Sequence, residues 1–93
     1  MSITILEERR RNIFESYSQK SWYKNISIHP STVNDEKEKK LLSLLTEYEN
    51  AIEHLKSCYN SKSDFESTLY FENRAKELLD EIEIIAVTID QYS

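Results

Sequence analysis

His54 and Cys58 stand four residues apart, the spacing that places an imidazole and a thiol on one face of a helix. Such a pair can hold a soft divalent metal, or work as a nucleophile and its base. Two ligands do not complete a metal site, and the one other histidine, His29, is distant in sequence. Neither His-Glu-x-x-His nor Glu-x-x-His occurs. Nothing in the sequence points to an oxyanion hole or to a third group that would orient the base. His54 is therefore expected to be an exposed helix residue and Cys58 a small, half-buried thiol. The chain contains no glycine, which excludes glycine-based phosphate loops. No catalytic residue, metal or cofactor is expected.

The segment His54-Leu55-Lys56-Ser57 departs from the histidine-phosphotransfer pattern, which sets one residue between the His and the Leu-Lys pair and has glycines nearby. A second grouping is basic and aromatic: Arg9-Arg10-Arg11 with Lys20, Trp22, Tyr23 and Lys24. Bases interleaved with aromatics can follow a phosphate backbone and stack nucleobases. The competing reading is structural. The arginine stems would cover apolar surface, and Trp22, Ile26 and Ile28 would cap one end of a bundle. A third grouping lies in the C-terminal segment, which from Glu77 onward carries five acids and no base. These acids point around a helix instead of forming one stripe. They leave room for a basic protein partner and disfavour phosphate. The candidate partner-binding residues are thus Arg9, Arg10, Trp22 and Tyr23 on one side, and Glu77, Glu81, Ile84 and Val87 on the other.

The elements that must position these groups are helical. Leu41, Leu45, Tyr48, Ile52, Leu55 and Tyr59 recur at steps of four and three, one continuous stripe of an α-helix. Leu44, Ala51 and Cys58 widen it on one side and Leu42 on the other. A second stripe runs through Phe71, Ala75, Leu78, Ile82, Ile85, Ile89 and Tyr92. Continued without a break, the first stripe would pass through Asn73, Lys76, Asp80 and Glu83, so the two cannot belong to one straight helix. A turn at 60–63 brings them together as an antiparallel hairpin. Ser63 and Glu66 have capping-box spacing for the return helix, as Thr4 and Glu7 do for a first helix carrying Leu6, Ile13 and Tyr17. The β-branched run from Ile82 to Ile89 could suit a strand, but the stripe continues through it, which predicts helix. Ile84 and Val87 then face away from the main stripe. Residues 21–33 are expected to be a loop: Ile26-Ser27-Ile28 alternates like a short strand, and Pro30 biases His29 away from helix.

The sequence thus predicts an all-α, single-domain three-helix bundle, with helices over about 4–20, 34–60 and 63–92. Ninety-three residues make a small core, and association commonly supplements one. Net charge is −5, but residues 1–30 carry five bases against three acids, and residues 31–93 seven bases against fourteen acids. A single cysteine suits a reducing compartment, and no secretory leader or membrane-length apolar run is read. The expectation is a cytoplasmic, non-catalytic protein-interaction module, a small helical inhibitor, immunity, anti-defence or adaptor protein. Its partner would be another protein, with a homo-oligomer also plausible. The alternative is a small nucleic-acid-binding protein using the basic-aromatic patch.

Overall fold

The computed structural model describes residues 3–62 and 64–92. Those residues form four α-helices, α1 (Ile3–Glu15), α2 (Ser21–Ile28), α3 (Glu36–Ser61) and α4 (Phe65–Gln91), with a 3-10 turn at Pro30–Thr32 and no strand. The all-α hairpin bundle expected from the stripes is the observed architecture. α3 and α4 pack along their lengths as an antiparallel pair. Lys37 Nζ near the start of α3 sits 5.4 Å from the Tyr92 ring just beyond α4. Further along, Arg74 pairs with Glu47 at 3.8 Å, and the Phe71 ring stacks on His54 at 4.8 Å.

The buried seam is regular. On α3 it runs Leu41, Leu44, Tyr48, Ala51, Leu55, Cys58, and on α4 it runs Glu72, Ala75, Leu79, Ile82, Ala86, Ile89. Both sets follow steps of three and four, the repeat that keeps two helices in contact side by side. Ile52 and Leu78 are buried beside these seams. The α3 seam is therefore centred on the Leu44–Ala51–Cys58 side of the expected stripe. Leu42 and Leu45 are half-buried, and Tyr59 and Tyr92 are exposed. Small residues explain the shift: Ala51 and Cys58 on α3, with Ala75 and Ala86 on α4, let the backbones approach while Leu and Ile fill between them.

Caps fix the ends of the hairpin. Asp35 accepts from the backbone N–H of Lys37 (3.0 Å) and Glu38 (3.1 Å), which starts α3. α3 stops at Lys62, which is left-handed (φ 54°, ψ 45°) and donates its N–H to the Cys58 carbonyl. Glycine usually fills such a position. Without one, a lysine accepts a steric cost of about 1–2 kcal/mol. The helix start expected at Ser63 lies outside the described residues. The N-cap of α4 is Asp64, whose carboxylate accepts from the Ser67 N–H at 2.7 Å. That bond holds the Asp64 pKa below its ordinary value.

Three expectations for the N-terminal third need correction. Thr4 is not the first cap: α1 already includes Ile3, so Thr4 lies within it. α1 ends at Glu15, not near Lys20. Residues 16–19 instead close turns of the i to i+3 type, such as Tyr17 N–H to Phe14 O at 3.0 Å, and the Ser18 hydroxyl competes for the Glu15 carbonyl at 3.1 Å. Residues 21–28 are helix, not loop or strand. Trp22 and Ile26, one turn apart, are both buried against the core, and that packing overrides the strand preference of Ile26-Ser27-Ile28. Pro30 does stop α2, leaving His29 outside the helical region at φ −127°, ψ 58°.

Candidate interaction surfaces

α1 crosses one face of the hairpin, and the arginines define how. Leu6, Arg10, Ile13 and Tyr17 lie at steps of four, three and four, so Arg10 occupies a core-facing position between two buried residues. Its guanidinium carbon lies 5.9 Å from the Tyr48 ring centre, and Nη2 reaches Glu49 Oε1 at 3.6 Å. Tyr48 is fully buried. Among the described residues its hydroxyl has no partner at full hydrogen-bond geometry, and burial, followed by the nearby Glu7 carboxylate, pushes its pKa up to about 12. Arg9, beside it, donates from Nη2 to Asp80 and, at 3.3 Å, to Glu83 on α4. The hydrogen bond to Asp80 is the main reason its pKa is raised.

Trp22, 7 % exposed, is also part of the fold. Its indole Nε1–H donates to Asp90 Oδ1 at 3.0 Å, tying α2 to the end of α4, and Lys20 Nζ lies 3.5 Å from the same oxygen. Tyr23 stacks on Phe14 with ring centres 5.3 Å apart. The structure thus brings Arg9, Arg10, Trp22 and Tyr23 together, but as the joint between α1, α2 and the hairpin. Of the basic groups in that region, Arg11, Lys20 and Lys24 are exposed, Lys20 while paired with Asp90. Ile28, expected to help cap the bundle, is exposed as well.

The four C-terminal candidates share the outer face of α4. Glu77, Glu81, Ile84 and Val87 are all exposed, with Ile84 at 67 %. Ile84 and Val87 line a shallow groove with Asp80, Glu83, Thr88 and Gln91. Glu77 lies 3.7 Å from Arg74, whereas Asp80 and Glu83 meet Arg9. Two neighbouring branched aliphatics are therefore presented to solvent within a rim of carboxylates.

A scan of protein-family models and searches of curated proteins and of solved structures found no match to this chain.

The His54 ring is stacked on Phe71, while Cys58 is buried in the seam. Among the described residues no three His, Cys, Asp or Glu side chains converge as a metal site would require. No described helix is long and apolar enough to cross a membrane.

One surface was not anticipated from sequence. Tyr59, Phe65, Leu69 and Tyr70 are exposed around the turn that joins α3 to α4. Tyr59 continues the core stripe by register. Whether such a position is buried depends on whether anything lies above it, which periodicity does not encode.

Proposed function

We propose that this chain is a non-catalytic protein-binding module of the inhibitor, immunity, anti-defence or adaptor kind, which uses the outer face of α4 to hold a basic amphipathic segment of another protein. The observation that carries this reading is the exposed pair Ile84 and Val87 set among Glu77, Asp80, Glu81 and Glu83. Exposed neighbouring aliphatics are stabilised when a partner covers them, by roughly 25 cal/mol per Å². Arg74 and Arg9 partly offset Glu77, Asp80 and Glu83, and the acidic excess that remains on this face favours lysine- or arginine-rich partners over acidic ones. Recognition of this kind uses shape and charge and needs no cofactor. A reducing, cytoplasmic setting suits the single thiol.

The test is a pull-down from the source cell with the intact chain and two variants, Ile84→Lys and Glu81→Lys. A stoichiometric protein complex that both variants lose supports the reading. A complex insensitive to both defeats it. So does recovery of nucleic acid whose binding falls steeply with salt and with Arg11→Glu, since that outcome assigns function to the basic side of α1.

A further inference from the structure

Arg9 and Arg10 are neighbours in sequence but are held in different ways. Arg10 is packed down: its guanidinium lies by the buried Tyr48 ring, and its Nε is buried. Arg9 instead reaches across to α4, where its Nη2 donates to Asp80 Oδ1 and, at 3.3 Å, to Glu83 Oε1. Both carboxylates also line the shallow groove of the outer face, with Ile84 and Val87. Asp80 stands four residues before Ile84 and Glu83 four before Val87, so each acid neighbours one aliphatic a turn away. One guanidinium here serves two carboxylates, so one negative charge of the pair stays unbalanced. All three side chains are open to water: Arg9 is 35 %, Asp80 65 % and Glu83 55 % exposed. An exposed bridge of this kind contributes little to a fold. α1 is held independently of it by Leu6, Ile13 and Phe14, which are buried in the core.

We infer that Arg9 is a built-in competitor for the outer face of α4: it occupies the seat that an arginine of the bound segment takes. This rests on the reading of that face as a site for a basic amphipathic segment. The chemistry of the seat narrows the occupant. Arg9 uses one oxygen of each carboxylate, and both acids remain open to a second donor from the groove side. A lysine brings a point charge, whereas the planar fork of an arginine can span two carboxylates. An arginine seated there leaves a leucine-like residue, one turn along its own helix, to cover Ile84 or Val87. The occupant is therefore a helical segment with arginine and a large aliphatic four residues apart. Release of Arg9 exchanges one exposed bridge for another, so a stray base gains nothing by displacing it. A segment that also buries Ile84 and Val87 does gain. Arg9 thereby sharpens selection for amphipathic over merely basic partners, and holds affinity below what the bare carboxylates would give.

The test is calorimetric titration of the intact chain with a synthetic amphipathic helical peptide of leucine and arginine. The wild-type chain is compared with Arg9→Met, Arg9→Gln, Arg74→Met and Ile84→Gln. Methionine keeps an apolar stem and a high helix propensity, so the circular dichroism of Arg9→Met should match wild type. Both Arg9 variants should bind the peptide about fivefold tighter, the scale of one exposed ion pair at its strongest. Arg74→Met removes an equal charge but frees Glu77, which does not line the groove, and should change affinity by under about twofold. Ile84→Gln should weaken binding. In magnetic resonance of the guanidinium nitrogens, the Arg9 signal should shift on saturation with peptide and the Arg10 signal should not. Ile84-dependent binding that neither Arg9 variant tightens overturns the inference and leaves the reading of the groove standing. So does a saturated complex in which the Arg9 signal is unmoved. An equal gain from Arg74→Met also overturns it, because net charge alone would then account for the effect. If the peptide binds none of the chains, or binds regardless of Ile84, the inference falls together with that reading.

Discussion

Where α3 begins and α4 finishes, Leu41, Leu44, Ile82, Ala86 and Ile89 are buried. α1 and α2 are fastened over that end through Arg9 to Asp80 and Trp22 to Asp90. Around the opposite turn, Leu55 and Cys58 are also buried between the two helices, yet Tyr59, Phe65 and Leu69 are exposed. The seam is the same in kind at both ends. What differs is a third layer. A two-helix pair can bury only the stripe between its members, and side chains one step away stay wet unless another helix crosses them. The covered end is where stability resides, and the bare end is where surface remains for something else.

The largest expected effect breaks this contrast most directly. Ile82→Ala, at a fully buried position of the α3–α4 seam, should cost about 2–5 kcal/mol of unfolding free energy, whereas Leu69→Ala at the exposed turn end should cost under about 1 kcal/mol. Denaturant midpoints measured at low concentration will separate the two. Equal losses would mean that the turn end is packed as tightly as the covered end.

Next comes the Tyr48 phenol, at the crossing of α1 and α3. In the unfolded chain it loses its proton near its ordinary pKa of 10, and in the folded chain near about 12. Its contribution to stability is therefore complete below pH 10 and declines as pH rises between those values. About 1.4 kcal/mol should be gone by pH 11. Tyr17, whose pKa is raised by burial and then by Asp90 and Glu83, acts in the same direction. Tyr48→Phe should flatten the alkaline slope, and removal of a buried hydroxyl with no partner at full hydrogen-bond geometry should leave neutral-pH stability little changed. A slope unaltered by this change would place the titrating group elsewhere.

The smallest effect sharpens the picture of the turn. Lys62→Gly relieves a left-handed lysine and should stabilise the chain by about 1 kcal/mol. Amide exchange should slow first in the last turn of α3 and the first turn of α4. If the gain were spread evenly over the hairpin, its two ends would not open separately.

Periodicity alone carried the hairpin. Two stripes in incompatible registers, divided by Asn60 to Ser63, require two helices and a turn. The alternation of Ile26-Ser27-Ile28 and the following Pro30 point to a loop at 21–28, whereas the i,i+4 spacing of Trp22 and Ile26 is the signal that fits the helix found there. That segment is helical because Trp22 and Ile26 together find the core, a contact made across the fold. The outer-face residues Glu77, Glu81, Ile84 and Val87 were legible because they lie off the stripe. For Arg9, Arg10 and Trp22 the sequence left two readings, a binding patch and structural cover, since a base or an indole looks the same in sequence whether it meets a partner or a carboxylate of its own chain.

The sequence by itself determined that this chain is helical, where its long helices turn, and which of their faces are apolar, because helix period and side-chain polarity are local properties. Only the tertiary structure decided which apolar residues are core. Tyr48 and Tyr59 stand eleven residues apart on the same expected stripe, yet Tyr48 is fully buried beside Arg10 of α1 and Tyr59 is exposed. Burial depends on what lies opposite each side chain in the folded chain.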